Sequence, residues 1–485
     1  MRVRQPSRRE FLRHAGVAGA GLFAAVRELQ GDRLALHTWE ASAAPAADPW
    51  LRVPTILARI KPPIFPARDV LITEFGAVGD GERDCTTAIR NAISVCALAG
   101  GGRVVVPSGR FLTGPIHLKS GVNLHVAEGA TLAFSRDPRD YQSLVFTRWE
   151  GVELLNYSPL IYAFEQQNIA VTGTGTLDGQ ADESHWWPWK GGVSASGAPN
   201  QNAGRERLMD MGMKGAPVYE RVFGEGHYLR PNFVQPYRCK NVLLEGVTLV
   251  NSPMWELHPV LCTNVTIRKV TINTHGPNND GCDPESCRDV LIEGCRFDTG
   301  DDCIALKSGR NNDGRRLNVP VENVVIRDCV MADGHGGVVI GSEISGGARN
   351  VFAERCRMDS PQLDRALRIK TNAVRGGIVE DVYMRDVTVG QVAEAVVTIN
   401  YFYEEADKGT FLPIVRNVEV QRVTSRKSKY ALLLRGFKQD PIQGIRLADC
   451  TFDGVESPDV IENVKGLTLR NVRINGQLKN ETITR

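Results

Sequence analysis

The stretch NVLLEGVTL, residues 241 to 249, decides the fold because it does not occur only once. Related units read NVTIRKVTI from 264, DVLIEGCRF from 289, NVVIRDCVM from 323 and NVFAERCRM from 350, then DVYMRDVTV from 381, NVEVQRVTS from 417 and GIRLADCTF from 444. Their starts are spaced by 23, 25, 34, 27, 31, 36 and 27 residues, the mark of a repeat architecture. Each unit alternates apolar and polar positions with period 2, which buries one face of a strand, and none shows helical periodicity. Short strands separated by Asn, Asp and Gly turns predict an all-β fold, a single-stranded right-handed parallel β-helix. Its neighbouring coils stack about 4.8 Å apart. Cys295, Cys329, Cys356 and Cys450 share one repeat position with Val247, Val270, Val387 and Val423, which predicts an interior stack and ordinary packing roles for those thiols.

Working outward from the repeats, DCTTAIRNAISVCALAGGG reads as a helix that opens after Asp84 and stops at a glycine run. It is placed to cap the open end of the solenoid, whose exposed strand edges would otherwise pair with other chains. RVVVPSG, GVNLHVAEGATL and NIAVTGTGTLDG begin the winding. Ahead of them, Arg8 and Arg9 precede an apolar run too short to span a bilayer, which resembles a twin-arginine export signal. Ala41-Ser42-Ala43 offers a cleavage site. The expected organisation is a signal peptide over 1–43, a linker over 44–68 and a β-helical catalytic domain over 69–485. The mature protein is then expected in the periplasm or outside the cell, as a monomer without a membrane span.

Composition narrows the function classes. Among 485 residues the formal net charge is +2, without long runs of one sign, so no nucleic-acid footprint is present. The eleven cysteines show no zinc-ribbon spacing, and neither a metal nor another cofactor is expected.

The repeat register assembles a candidate site. Asp301 lies 12 residues after Asp289 and His335 lies 12 after Asn323, so stacking makes them neighbours. One coil earlier Asp280 lies 16 residues after Asn264, displaced by a longer turn; one coil later Arg368 and Lys370 alternate on one strand and share a face. Sugar hydrolysis needs one carboxylic acid to protonate the leaving oxygen and a second carboxylate to activate water, about 6.5–9.5 Å apart in inverting enzymes. Carboxylates one coil apart are expected near that range. Three crowded carboxylates cannot all be ionised cheaply, so one should keep a proton.

NNDGCD (278–283), GDD (300–302), GHG (334–336) and RIK (368–370), in this order on successive coils, resemble the four signature motifs of glycoside hydrolase family 28, the polygalacturonases and their relatives. EFGAVGDGERDCTTAI, residues 74 to 89, is similar to the N-terminal cap of bacterial pectin-degrading β-helices. The resemblance implies that Asp301 is the general acid and that Asp280 and Asp302 hold and activate the water. It also implies that His335 tunes the acid, and that Arg368 and Lys370 bind a galacturonate carboxylate. Asn278 is expected to contact substrate as well. One departure is visible: Asn279 stands where the family usually has threonine, so a hydroxyl hydrogen bond is expected to be lost.

Lys307 and Arg310 follow the catalytic strand and are expected either to contact a second uronate or to solubilise a turn. The insertion from Asp178 to Pro236 is expected as a long loop walling one end of the groove, with Trp186, Trp187 and Trp189 either stacking on sugar or anchoring the loop. Such a wall favours attack from chain ends, and long insertions here resemble bacterial exo-acting members. The resulting expectation is metal-free, inverting hydrolysis of α-1,4-galacturonosyl linkages in pectin. Alternatives are a rhamnogalacturonan or xylogalacturonan hydrolase of the same family, a calcium-assisted β-helical pectate lyase, or a non-catalytic polysaccharide-binding solenoid, against which the clustered acids argue.

Overall fold

The structure, a computed structural model, describes residues 48–191 and 199–485. The expected signal peptide over 1–43 lies outside the described residues. From Asp69 onward the chain winds as a parallel β-helix, with strands making up 46% of the structure and helices 14%, which agrees with the all-β expectation. Each central coil contributes a first strand, such as Arg288–Glu293, a second, such as Arg296–Thr299, and a short third, such as Ile304–Leu306. Each pairs in parallel with its counterparts on neighbouring coils, so that Val290 lies between Val265 and Val324.

The repeat begins with Asn, Asp or Gly for a backbone reason. Asn241, Asn264, Asp289, Asn323, Asn350, Asp381, Asn417 and Gly444 all sit in the left-handed region, with φ from 54° to 62°, where most side chains clash with the following carbonyl. The amides also form a ladder between coils: Asn264 Nδ2 donates to Asn241 Oδ1 at 2.7 Å and Asn350 Nδ2 to Asn323 Oδ1 at 3.1 Å. Five residues on, the chain turns again through a second left-handed position. There Lys269, Asp328, Arg355, Asp386, Arg422 and Asp449 take the place that glycine has at 246 and 294. The residue after each of these is the buried Val or Cys of the predicted interior stack. A second thiol stack accompanies it: the Cys239 amide lies 3.4 Å from Cys262 Sγ and the Cys262 amide 3.4 Å from Cys287 Sγ. All eleven cysteines are free and buried.

Both ends are closed. Helix α2, Thr86–Leu98, starts where Asp84 Oδ1 accepts the Thr86 amide at 2.9 Å, and it lays Ile89, Ala92, Ile93 and Cys96 on the first coils. At the other end Gln477–Ile483 turns back antiparallel on Leu467–Ile474, ending the parallel stack.

Three segments depart from expectation. Within the linker span, helix α1, Arg52–Arg59, packs with Trp50 and Ile60 on the outer face of the first-strand sheet over Val325, Phe352 and Tyr383. Those three apolar side chains break the in-out alternation of their strands, so an outer face that would be wet is dry. The insertion is not a plain loop: it contains helix α3, Asn202–Lys214, whose Leu208 joins Trp149, Phe223 and Trp255 in a separate core. A further short helix, α4, Asn311–Leu317, was not signalled by periodicity. The tryptophans serve as anchors: Trp186 is buried edge-on against Tyr141 and Trp189, and Trp187 Nε1 donates to the Ser252 carbonyl at 2.9 Å. Among the described residues no helix is long and apolar enough to cross a membrane.

Candidate active site

The third-strand face carries the site. Cys282 bridges Ile304, which pairs with Val338, and Val338 pairs with Leu367, so the residues just before the first three positions and those just after Leu367 converge from four consecutive coils. Asp301 and His335 are neighbours as the register predicts. The His335 amide donates to the Asp301 carbonyl at 3.1 Å, and His335 Nδ1 lies 3.0 Å from Asp301 Oδ1. Asp280 falls in register with Asp302 rather than beside Asp301, because Cys282 pairs with Ile304 and the Gly281 amide reaches the Asp302 carbonyl at 2.9 Å. One oxygen from each of Asp280, Asp301 and Asp302 lies within 4.8 Å of the others. At their nearest oxygens the acids are thus closer than the roughly 6.5–9.5 Å expected from inverting enzymes. The same oxygens could chelate a divalent cation.

Glycine permits this convergence. A Cβ on Gly334, whose φ is 144°, would meet the Asp301 carbonyl oxygen at 2.5 Å, and one on Gly336 would meet Val339 Cγ2 at 2.5 Å.

Arg368 and Lys370 share the face predicted for them, but both point at Asp302. Lys370 Nζ lies 2.6 Å from Oδ2 and Arg368 NH1 3.3 Å from Oδ1. Asp302 and Lys370 are buried, whereas the side chains of Asp301 and His335 keep 19% and 52% of their exposure, so a ligand meets the latter pair first. The Asp301 hydrogen bond raises the His335 imidazole to about 9. Burial followed by the Asp301 charge pushes the Asp280 carboxyl up to about 8. For Asp301, burial raises the carboxyl, but the hydrogen bond from His335 and the field of Lys370 outweigh it and hold it below the ordinary range. The resting site therefore keeps a proton on the Asp280–Asp301 pair, chiefly on Asp280, opposite an ionised Asp301 against an imidazolium. Asp280 Oδ1 is buried without a hydrogen-bond partner among the described residues.

Lys307 is neither a surface turn nor free for a second uronate. It is buried, 4.3 Å from the Trp255 ring centroid, and its ammonium faces Asp280 and Asp283 at 3.5 Å each and Glu343 at 3.2 Å. Arg310 is buried as well, between Glu150 and Glu343 at 3.3 Å each. The two cations neutralise a layer of acids below the three aspartates, because isolated carboxylates could not be buried there. Asn278 is part-buried, and its Oδ1 accepts from Arg230 at 2.8 Å. Asn279 does not simply lose a hydroxyl contact: its amide accepts from Thr274 and the Gly276 amide at 2.6 Å each and donates to the Ser252 and Met254 carbonyls at 3.0 Å each.

Sequence reasoning missed Asp283, Glu343, Arg230 and Tyr403. Asp283 stands within the NNDGCD motif, and a count along the third strands could have found it. Tyr403, whose ring centroid lies 5.2 Å from Lys370 Nζ and 5.7 Å from the Arg368 guanidinium, comes from a loop outside the repeat.

Comparison with known proteins agrees with this geometry. The model of glycosyl hydrolases family 28 matches residues 221–473, and that of rhamnogalacturonase A/epimerase, pectate lyase-like, matches residues 68–130. The crystal structure of a hyperthermoactive exopolygalacturonase from Thermotoga maritima superposes with a TM-score of 0.87 at 48% identity, covering 89% of this chain and 97% of that one. A probable polygalacturonase of Vitis vinifera is 29% identical over 399 residues, 79% of this chain and 74% of its own length. An exo-poly-alpha-D-galacturonosidase of Dickeya chrysanthemi is 27% identical over 356 residues, 69% of this chain and 57% of its own. With a family model spanning the coils that hold all four motifs, and a solved relative matching almost end to end, the chain belongs to glycosyl hydrolases family 28.

Proposed function

We propose that the protein hydrolyses α-1,4-D-galacturonosyl linkages of pectin and polygalacturonan, acting from a chain end and with inversion. The single observation that supports this reading most is the convergence of Asp280, Asp301 and Asp302 within 4.8 Å beside Arg368 and Lys370. Acids gather there to cleave a glycosidic bond, and the cations beside them suit a sugar that carries its own carboxylate.

Asp301, the more exposed acid, protonates the leaving oxygen, while Asp280 and Asp302 hold the attacking water and take its proton. In the resting site the shared proton lies mainly on Asp280, so substrate binding has to move it to Asp301 before reaction. His335, hydrogen-bonded to Asp301, sets how readily that acid gives its proton up. Arg368 and Lys370 bind the substrate carboxylate next to the scissile bond while each is ion-paired with Asp302.

The chain-end mode rests on the insertion, where α3 and the tryptophan-anchored segment stand at the N-terminal side of the site. Inversion rests on the family, because the carboxylate spacing does not argue for it. Export to the periplasm or the exterior fits a polymeric substrate of this kind.

Replacement of Asp301 by Asn tests the reading. Hydrolysis of galacturonan should fall by about 10²–10⁴-fold with the circular dichroism spectrum unchanged. Near-normal turnover would remove Asp301 from the acid's role. Product sizing on an oligogalacturonate series distinguishes the attack modes, a single small product meaning chain-end attack and a mixed ladder internal attack. Proton NMR of the first-formed anomer reports the stereochemistry. A chelator-sensitive, ultraviolet-absorbing product would instead identify a lyase.

A further inference from the structure

The outward columns of the first-strand sheet obey a simple charge rule. Glu245, Arg268, Glu293, Arg327, Glu354 and Arg385 stand opposite one another on successive coils, so the sign alternates along the column. Arg268 Nε reaches Glu245 at 2.7 Å, and Arg385 NH2 reaches Glu354 at 2.7 Å. A second column, Arg288, Glu322, Arg349, Glu380 and Arg416, alternates in the same way. Like charges directly opposite each other repel across the inter-strand distance, and alternation avoids this.

The second-strand sheet breaks the rule at Asp298 and Asp333, which stand directly opposite each other because a bulge skips Ala332. Compensation there is thin. Arg296 NH2 stays 3.8 Å from Asp298 Oδ2, and Asp333 accepts only from neutral donors among the described residues, the Gly334 amide at 2.8 Å and the Ser360 hydroxyl at 3.4 Å. What joins the two acids is an imidazole. His275, one coil earlier and one residue past the Thr274–Thr299 pair, brings Nε2 to 2.9 Å from Asp298 Oδ1. One donor atom from each of His275, Asp298 and Asp333 lies within 4.8 Å of the others. The side chains of His275 and Asp298 keep 47% and 29% of their exposure and Asp333 is half-buried, so solvent and an ion can reach all three.

We propose that His275, Asp298 and Asp333 bind a divalent transition-metal ion of the zinc class, and that the ion clamps the three turns that carry the catalytic groups. One imidazole with two carboxylates is a zinc donor set, whereas calcium takes about six to eight oxygen ligands. Zinc holds nitrogen and oxygen donors at about 2.0–2.2 Å, so donors around one ion stand at most about 4.4 Å apart, and small side-chain rotations close this site. Water completes the coordination. The ion's charge turns the repulsion between the facing aspartates into attraction. Each ligand stands just ahead of a catalytic residue: His275 is five residues before Asp280, Asp298 three before Asp301 and Asp333 two before His335. Thr299 Oγ1, 2.8 Å from the Asp301 carbonyl oxygen and 3.2 Å from that of Asp333, ties two of these turns from the buried side. The ion ties all three from the solvent side. It touches no reacting group, and the inference stands apart from the galacturonan reading.

The test adds zinc chloride to the full chain after chelator treatment and dialysis. Titration calorimetry should show one ion per chain, and at about 100 times Kd the melting temperature should rise by about 3 °C. His275→Gln and Asp333→Asn should each weaken binding by at least about tenfold and remove the rise. Calcium chloride at the same concentration should leave the melting temperature unchanged. Absence of binding overturns the site, as does a calcium effect equal to that of zinc. Zinc binding that both substitutions leave intact also overturns it, and places the ion elsewhere, with Asp280, Asp301 and Asp302 the first place to look. Should a variant not fold, cobalt(II) in the unmodified protein decides. Strong visible absorption of a four- or five-coordinate ion, with paramagnetically shifted imidazole signals, supports the site; the pale spectrum of hydrated cobalt overturns it.

Discussion

At the scale of single residues, the site separates charges that composition alone could not have sorted. Asp302 spends its charge on two cations, whereas Asp301 and His335 form a more exposed pair whose protonation reports on one another. The pair predicts a pH signature. Because the folded imidazole is raised to about 9 above its ordinary 6.5, its contribution to stability is fully present below about 6.5 and is lost as the pH rises through about 9. In an NMR titration the His335 ring should move back toward 6.5 in Asp301→Asn, and His335→Ala should flatten the stability profile over that window. A midpoint that ignores the Asp301 substitution would break the pairing. Asn279 and Lys307 show the limits of reading residues one at a time. Each looked like a deviation or a surface group in the sequence; each proves to be buried and fully engaged, one holding the loop before Asp280 and the other neutralising the acids below it.

At the scale of the element, the repeat unit works because its first residue tolerates a left-handed backbone. Asn323, with φ of 56°, also accepts from Asn350 and donates to Asp289, each at 3.1 Å. Asn323→Gly should keep the turn and lose only the ladder, about 1–2 kcal/mol in urea unfolding. Asn323→Val adds the cost of forcing a branched side chain into that region, for a total of about 3 kcal/mol. Equal losses in the two variants would show that the backbone is not what the Asn serves. The repeat strands and helix α2 were legible because period-2 alternation and an Asp cap are local signals. Helices α1 and α3 were not: α1 owes its place to Val325, Phe352 and Tyr383, which look like faults in a strand pattern until something covers them.

At the scale of the whole molecule, stacking turns a one-dimensional repeat into a groove with a closed and an open direction. The insertion, tied to the site through Arg230, which reaches Asn278 and the Pro277 carbonyl at 2.8 and 2.7 Å, stands at one end, and a Tyr- and Arg-lined cavity extends from the other. Cations lining such a groove attract a polyanion, so affinity should depend on salt. Raising the ionic strength from about 0.01 to 0.15 M shortens the screening length from about 30 to 8 Å, and KM for polygalacturonan should rise several-fold with kcat nearly constant. A salt-independent KM would mean that the substrate is held by short contacts alone.

What the sequence determined by itself is whatever depends on local order and repeat counting: the parallel β-helix, the capping helix, the interior thiol stack and the pairing of Asp301 with His335. Chain direction and period settle these, since equal counts from equal turns must stack. The tertiary structure alone decided that Asp280 sits over Asp302, that the nearest oxygens of the three acids lie within 4.8 Å, and that Lys307 turns inward. Turn length and burial set those positions, and both depend on contacts between residues tens of positions apart that no local pattern carries.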